Sequence, residues 1–275
     1  MKYVKMGLVG LMVSMLAGIA AANERSMVID GSTTVGPIAK AFAEHFMSVN
    51  PDVNVTVSES GSGNGAKSLV NGLCHIGMLS RFMRQGEFKE CVENDVLPVA
   101  HVVALDGLPV IVHPSNPVSD LTIDQIQDIY TGRITNWKQV GGRNAPIVMI
   151  SRDTNSGTYE TFASLVMRRQ SIAEGCEYVG SNGSMRSRVQ STPNAIGYAG
   201  IGFLDDTIKA LRVGGVSPTL ATVRSGEYPL ARPLYMFTDG YPQMGTDLYR
   251  FITLYQTEEG QELVSDIGFV PVTQY

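Results

Sequence analysis

Three short stretches combine glycine with hydroxyl side chains: GSTTVGP (Gly31–Pro37), SGSGNG (Ser60–Gly65) and TNSGT (Thr154–Thr158). Each follows an apolar or alternating run and precedes a helical pattern, so each is expected to be a strand-to-helix turn. The first N–H groups of a helix have no partner inside it, and the helix dipole favours negative charge there. Glycine lets a ligand approach the main chain, and serine and threonine add donors that carry no charge. One such turn is ordinary capping, for which serine and threonine are the usual residues. Three in one chain point instead to helix N-termini converging on an anion. The third turn also carries Arg152, in SRDTNSGT (Ser151–Thr158). Its planar, always-charged fork suits a tetrahedral oxyanion. The plainer alternative for Arg152 is a surface pair with Asp153. Ser80-Arg81, at the end of another short apolar run, is a fourth candidate wall, with a solvated Arg81 as the competing reading.

Other chemistries find no support in the residue pattern. GSGNGA places its glycines at positions one, three and five, not at the one-three-six spacing of a dinucleotide fingerprint, and no P-loop Gly-Lys-Ser/Thr follows. A G-x-S-x-G nucleophile turn is missing. His45, His75, His101 and His113 show no metal-ligand spacing with cysteines or carboxylates, so neither a metal nor another cofactor is expected. A formal net charge of −5 argues against a nucleic-acid partner. That acidity also means an anion site must rest on local dipoles rather than on the bulk field.

The elements that must hold these turns read as alternating strands and helices. Met27-Val28-Ile29 leads into the first turn, and a helical face of Ile38, Phe42, Ala43 and Phe46 follows until Asn50-Pro51 stops it. Val53, Val55 and Val57 alternate as a strand before the second turn, and Ala66–Val70 opens the next helix. Ile76–Leu79 is a short strand, and VVALDGLPVIVH reads as two strand pieces around Asp106-Gly107. In LTIDQIQDIYTG, Thr122 and Gln125 have capping-box spacing, Ile126, Ile129 and Tyr130 form the apolar stripe, and Gly132 closes the helix. Ile147–Ile150 precedes the third turn, whose helix shows Phe162, Leu165 and Val166 on one face, and NAIGYAGIGFL supplies a further buried strand. This alternation predicts an α/β protein with mainly parallel sheet.

The N-terminus has the layout of a secretory signal peptide over residues 1–22. Lys2 and Lys5 precede an apolar stretch from Met6 to Ile19, and Ala20-Ala21-Ala22 fits a small-residue cleavage site. A soluble, exported mature chain is expected. Export to an oxidising compartment permits one disulfide among Cys74, Cys91 and Cys176. Cys74 and Cys91, nearest in sequence, are the preferred pair, and three buried thiols are the alternative.

The motifs GSTTVGPIAKAF, SGSGNGAKSL, IGMLSR, LTIDQIQDIYTGRITNWKQVGG, SRDTNSGTYETF, NAIGYAGIG and EGQELVSDIGFVPV resemble, in order and over essentially the whole mature chain, the periplasmic phosphate-binding proteins. Those are the solute-binding subunits of high-affinity phosphate ABC importers. The resemblance implies a two-lobe periplasmic-binding-protein-like fold (type II) with phosphate in the cleft and a membrane permease as partner. Thr33, Thr34 and Ser62 would then contact phosphate from one lobe, and Arg152, Ser156, Gly157 and Thr158 from the other. Family members place an aspartate after the IGM-like strand to accept the phosphate proton, whereas this chain has Ser80 followed by Arg81. Asp106 is proposed as the substitute acceptor, with Asp153 as a second, each having a turn or capping role as its alternative.

The sequence therefore predicts lobe one over 23–104 and 231–275 and lobe two over 105–230, with the hinge near ALDG and YPLARPLY. The expected function is capture of phosphate in the periplasm by a monomer that makes and breaks no bond. Two alternatives belong to other classes: a secreted phosphate-ester hydrolase using Ser62 or Ser156, and an adhesin-like surface protein that keeps the binding fold.

Overall fold

The computed structural model describes residues 25–168 and 170–273; the expected signal peptide lies outside them. The chain first runs through β1 (Arg25–Gly31), α1 (Gly36–Val49), β2 (Val53–Ser58), α2 (Ser62–Val70), β3 (Ile76–Leu79), α3 (Gln85–Glu93) and β4 (Pro98–Gly107). It continues with β5 (Val110–Val112), β6 (Asp120–Leu121), α4 (Ile123–Tyr130), β7 (Val148–Arg152), α5 (Gly157–Leu165), β8 (Glu177–Val179) and α6 (Asn182–Gln190). After β9 (Ala195–Tyr198), β10 (Lys209–Ala210), β11 (Arg212–Val213) and α7 (Leu220–Ser225) come β12 (Ala231–Asp239), α8 (Asp247–Ile252) and α9 (Glu258–Asp266).

Two five-stranded sheets result, ordered β2-β1-β3-β12-β4 and β10-β5-β9-β7-β8. The first takes its strands from residues 25–107 and from 231–239, the second from residues 110–210. In the first sheet β1 runs parallel to β2 and β3, and β12 is antiparallel to β3 and β4. In the second, β7 is parallel to β8 and β9, and β5 is antiparallel to β9. The chain passes from one sheet to the other between β4 and β5 and returns into β12. Those two strands, β4 and β12, pair directly there, with Arg232 opposite Asp106 and Ala231 opposite Gly107.

The α/β expectation holds, but both five-stranded sheets are mixed rather than mainly parallel, because β12 and β5 join them antiparallel; the local signals are visible in the contacts. Ile38, Phe42, Ala43 and Phe46 are the buried face of α1, and Phe42 and Phe46 meet Phe251 edge-on. Thr122 Oγ1 accepts from Gln125 N at 3.1 Å while Gln125 Oε1 accepts from Thr122 N at 2.9 Å, which is the capping box. Gly132 follows the end of α4 with φ +78°, where a side chain would be strained. Phe162 and Val166 are buried as expected, but Leu165 is exposed, because α5 ends there and turns that side chain outward. The strand break expected at Asp106-Gly107 falls instead at Leu108-Pro109. Asp106 and Gly107 complete β4 because their backbone pairs with β12.

The expected Cys74–Cys91 bridge is not formed: both are free, buried thiols, and Cys176 is free as well. Cys91 Sγ lies 3.8 Å from Met83 Sδ, inside a small apolar cluster that also contains Cys74, Leu69 and Phe237. A thiol behaves there as a small hydrophobe, and packing rather than cross-linking accounts for both.

Candidate anion site

The parallel strands of both sheets point their C-terminal ends at one region, so the helices that follow present their N-termini to it. Ser32 Oγ accepts from Thr34 N at 3.1 Å and from Val35 N at 3.3 Å, which shapes the turn into α1. Ser62 opens α2, and neither α1 nor α2 has an N-cap side chain that accepts from its first N–H groups. On the second sheet, Ser156 Oγ accepts from Thr158 N and Tyr159 N and so caps α5. Both lone pairs of Ser156 are thereby engaged, and its proton is what it can offer a ligand.

Arg152 ends β7 and is only 1% exposed. Its backbone N–H donates to Tyr198 Oη at 3.2 Å, and Tyr198 stacks on Phe162 with ring centroids 3.9 Å apart. An aromatic layer thus holds the root of the side chain. Nε donates to the Val179 carbonyl at 3.2 Å, and Nη2 to the Gly180 carbonyl at 2.8 Å and to Thr33 Oγ1 at 3.3 Å. Nη1 is buried and, among the described residues, has no hydrogen-bond partner. Burial pushes the guanidinium pKa down to about 10, against the opposing pull of Asp153. Asp153 itself caps its own turn, accepting from Asn155 N at 2.9 Å. A buried cation whose hydrogen bonds go only to neutral oxygens is costly by itself and well placed to meet an anion.

The hydroxyls gather around this group. Thr34 Oγ1 and Thr158 Oγ1 are 3.0 Å apart across the space between the sheets. Ser62 Oγ accepts from Ser80 N at 3.1 Å and lies 3.3 Å from Ser80 Oγ. A Cβ placed on Gly157 would sit 2.5 Å from Ser62 Oγ and 2.7 Å from Ser80 Oγ, so only glycine permits the start of α5 to approach that of α2. Gly63 N donates to the Asn155 carbonyl at 3.0 Å and ties the same two turns together. The structure therefore brings Thr33, Thr34, Ser62, Ser80, Arg152, Ser156, Gly157 and Thr158 into one cluster.

Two expected site residues go elsewhere. Arg81 is not a wall of the cluster: its Nη1 and Nη2 donate to Glu87 at 2.8 and 2.7 Å, and its Nε to Glu160 at 2.6 Å. Two carboxylates neutralise it, which leaves no reason for it to seek an anion. Asp106, fully buried, does not stand free as a proton acceptor. Its Oδ1 accepts from Ile201 N at 2.9 Å, and its Oδ2 from Arg232 Nε at 3.0 Å and Nη2 at 2.8 Å. Burial pushes this carboxyl up, and Arg232 opposes that shift.

Asn182 and Arg232 join the cluster without a signal in the local pattern. Asn182 Nδ2 donates to Thr34 Oγ1 at 2.9 Å and to Thr33 Oγ1 at 3.3 Å. Its segment Gly180-Ser181-Asn182-Gly183-Ser184 is a fourth glycine-serine turn, hidden because the strand before it has only three residues. Arg232 Nη2 donates to Thr158 Oγ1 at 2.9 Å. Only the β4–β12 register brings Arg232 to Asp106.

Ser62 and Ser156, the candidate nucleophiles of the hydrolase alternative, bond to Ser80 and to the amides of α5, without an imidazole or carboxylate partner among the described residues. Among the described residues no group of histidines, cysteines and carboxylates could hold a metal ion.

Two α/β sheets whose turns meet in one cluster of hydroxyls around a buried arginine fit the architecture of a solute-binding protein. Residues 18–254 match the PBP superfamily domain, and the chain belongs to that superfamily. Within it, the chain is 36% identical over 251 residues to the phosphate-binding protein PstS of Bacillus subtilis, covering 90% of this chain and 81% of that one. It is 30% identical to PstS of Borreliella burgdorferi, over 91% of each chain. Among solved structures, a protein from Clostridium perfringens described as a phosphate ABC transporter substrate-binding protein, with phosphate bound, superposes with a TM-score of 0.85. It shares 36% identity, with 90% of this chain and all of that chain covered. An ABC-type phosphate transport receptor from Vibrio cholerae gives a TM-score of 0.72 at 31% identity, covering 89% and 99%. This chain is a member of the phosphate-binding protein family.

Proposed function

We propose that this protein captures inorganic phosphate outside the cytoplasmic membrane, in the periplasm, and delivers it to the permease of an ABC-type importer. One observation carries the reading: the buried Arg152 guanidinium, with Nη1 unpartnered among the described residues, lies among hydroxyls and helix starts contributed by both sheets. Arg152 is the charged contact, Thr33, Thr34, Ser62 and Ser80 serve it from lobe one, and Ser156, Gly157 and Thr158 from lobe two. Lobe one spans about 23–104 with 231–275, lobe two about 105–230, and β4 with β12 forms the hinge on which they close. The protein acts as a monomeric carrier and performs no chemistry on its cargo. Among the described residues no helix is long and apolar enough to cross a membrane, in keeping with a carrier that meets its permease from outside.

Calorimetric titration of phosphate-stripped protein with phosphate, arsenate and sulfate tests this. Stoichiometric binding of phosphate and arsenate, with sulfate weaker, is expected. No heat with phosphate would overturn the reading and favour use of the exterior surface instead.

A further inference from the structure

Phosphate capture by Arg152 and the hydroxyls does not by itself account for the buried ion pair that stands behind them. Asp106 and Arg232 face each other on β4 and β12, the two strands at the crossing between the sheets, and are 0% and 6% exposed. Arg232 spends Nε and one N–H of Nη2 on Asp106, at 3.0 and 2.8 Å. It then reaches into the second sheet's helix α5: Nη2 donates to Thr158 Oγ1 at 2.9 Å, and Nη1 to Thr161 Oγ1 at 3.2 Å. We infer that Arg232 is a positioning residue of the anion site, clamped by Asp106 so that it commits the Thr158 hydroxyl to donating.

The chemistry is that of an unsymmetrical donor. A guanidinium has N–H groups and no acceptor, so Thr158 Oγ1 can only accept from it, and the threonine proton must point elsewhere. Thr34 is prepared in the same way from the other side. Its Oγ1 receives Asn182 Nδ2, and the amide is oriented because Asn182 Oδ1 accepts from Gly200 N at 3.2 Å. Two hydroxyls 3.0 Å apart thus each have a fixed donor on their oxygen; one of them donates to the other, and a guest that brings lone pairs can draw both protons to itself. Preoriented donors bind a charged oxygen better than freely rotating ones, because no reorientation is needed on binding. The Asp106 carboxylate cancels the charge of Arg232, so the pair acts through orientation rather than through net attraction. Its place on the crossing strands also means that α5 is gripped from the hinge itself.

This inference rests on phosphate being the ligand, and a double-mutant cycle separates the two claims. Calorimetry with phosphate is run on the parent, Arg232→Lys, Thr158→Val and the double variant, each checked by circular dichroism. Lysine keeps the charge and the pairing with Asp106 but has no fork to reach Thr158. Arg232→Lys is expected to lose about tenfold in phosphate affinity in the parent, as for loss of one hydrogen bond from a charged donor. In the Thr158→Val background the same exchange should change affinity by less than about twofold, because the hydroxyl it orients is gone. Equal losses in both backgrounds would overturn the inference and leave Arg232 a scaffold residue. If the lysine variant does not fold, the neutral pair Asp106→Asn with Arg232→Met replaces it in the same cycle, with the same two outcomes. A parent that gives no heat with phosphate overturns the underlying reading, and this inference with it.

Discussion

Arg152 concentrates the energetics of the site in one side chain. Its carbonyl and hydroxyl partners satisfy Nε and Nη2, and Nη1, without a partner among the described residues, is the N–H group proposed to meet the guest. Truncating one member of a buried, hydrogen-bonded charge pair costs on the order of 2–5 kcal/mol. Arg152→Ala should therefore weaken phosphate binding by about 30-fold or more while the far-ultraviolet circular dichroism is preserved. Affinity close to that of the parent would remove Arg152 from its proposed role. The cysteines make the opposite case, of residues whose reactivity is suppressed by their surroundings. Burial pushes the Cys74 thiol up to about 12 and the Cys91 thiol up to about 11. Below those values each is a neutral thiol, and only the thiolate attacks a disulfide reagent. Labelling of native protein should be slow and still climb about tenfold per pH unit between about pH 7 and 9, and become fast in denaturant. Alkylation in denaturant without reductant should add a group at each of Cys74, Cys91 and Cys176, seen by intact mass; a single added group would mean that a disulfide exists after all.

Between the elements, Glu160 on α5 is a heavily used contact. It accepts from Arg81 Nε at 2.6 Å and from Arg84 Nε and Nη2 at 2.8 and 2.7 Å, joining the start of α5 to the segment before α3. Arg81 is held in place independently by Glu87, so this network resists rearrangement better than an isolated surface pair. Because α5 carries Ser156–Thr158 at its start, the link bears on how long the two sheets' turns stay together. Glu160→Gln should speed phosphate release severalfold, with a smaller change in association rate, since contact losses appear mainly in dissociation. Stopped-flow release into a phosphate trap would show it, and an unchanged rate would confine the network to surface stabilisation. The variant leaves the Glu87 pairing intact, so a collapse of the fold is not expected.

For the whole molecule, the consequence of the proposed division of one ligand's contacts between two sheets is motion. Thr33, Thr34, Ser62 and Ser80 ride on the first sheet and Arg152, Ser156 and Thr158 on the second, so full contact requires the sheets to approach. Phosphate then shifts the population toward the compact form by as much as it prefers that form. Solution scattering should show a smaller radius of gyration with saturating phosphate than after stripping. Superimposable curves would argue that the protein is rigid and that the hinge at β4 and β12 does not open.

Whatever is local could be read along the chain: the α/β alternation, the Thr122–Gln125 capping box, and the turns at Gly31–Pro37, Ser60–Gly65 and Thr154–Thr158. Those signals are readable because a helix start needs its donors satisfied within a few residues, and the chain must supply glycine and hydroxyls on the spot. Arg152 was legible for the same reason, as a cation one turn ahead of such a start. Everything that depends on register between distant strands, and on which charge reaches which, came from the packed fold. Arg81 was a further candidate wall beside Arg152, yet Glu87 and Glu160 claim it, one of them 79 residues away. Asp106 looked like a free acceptor until pairing with β12 placed Arg232 across from it, 126 residues on. A carboxylate or guanidinium commits to a partner through space, and spacing along the chain carries no record of that choice.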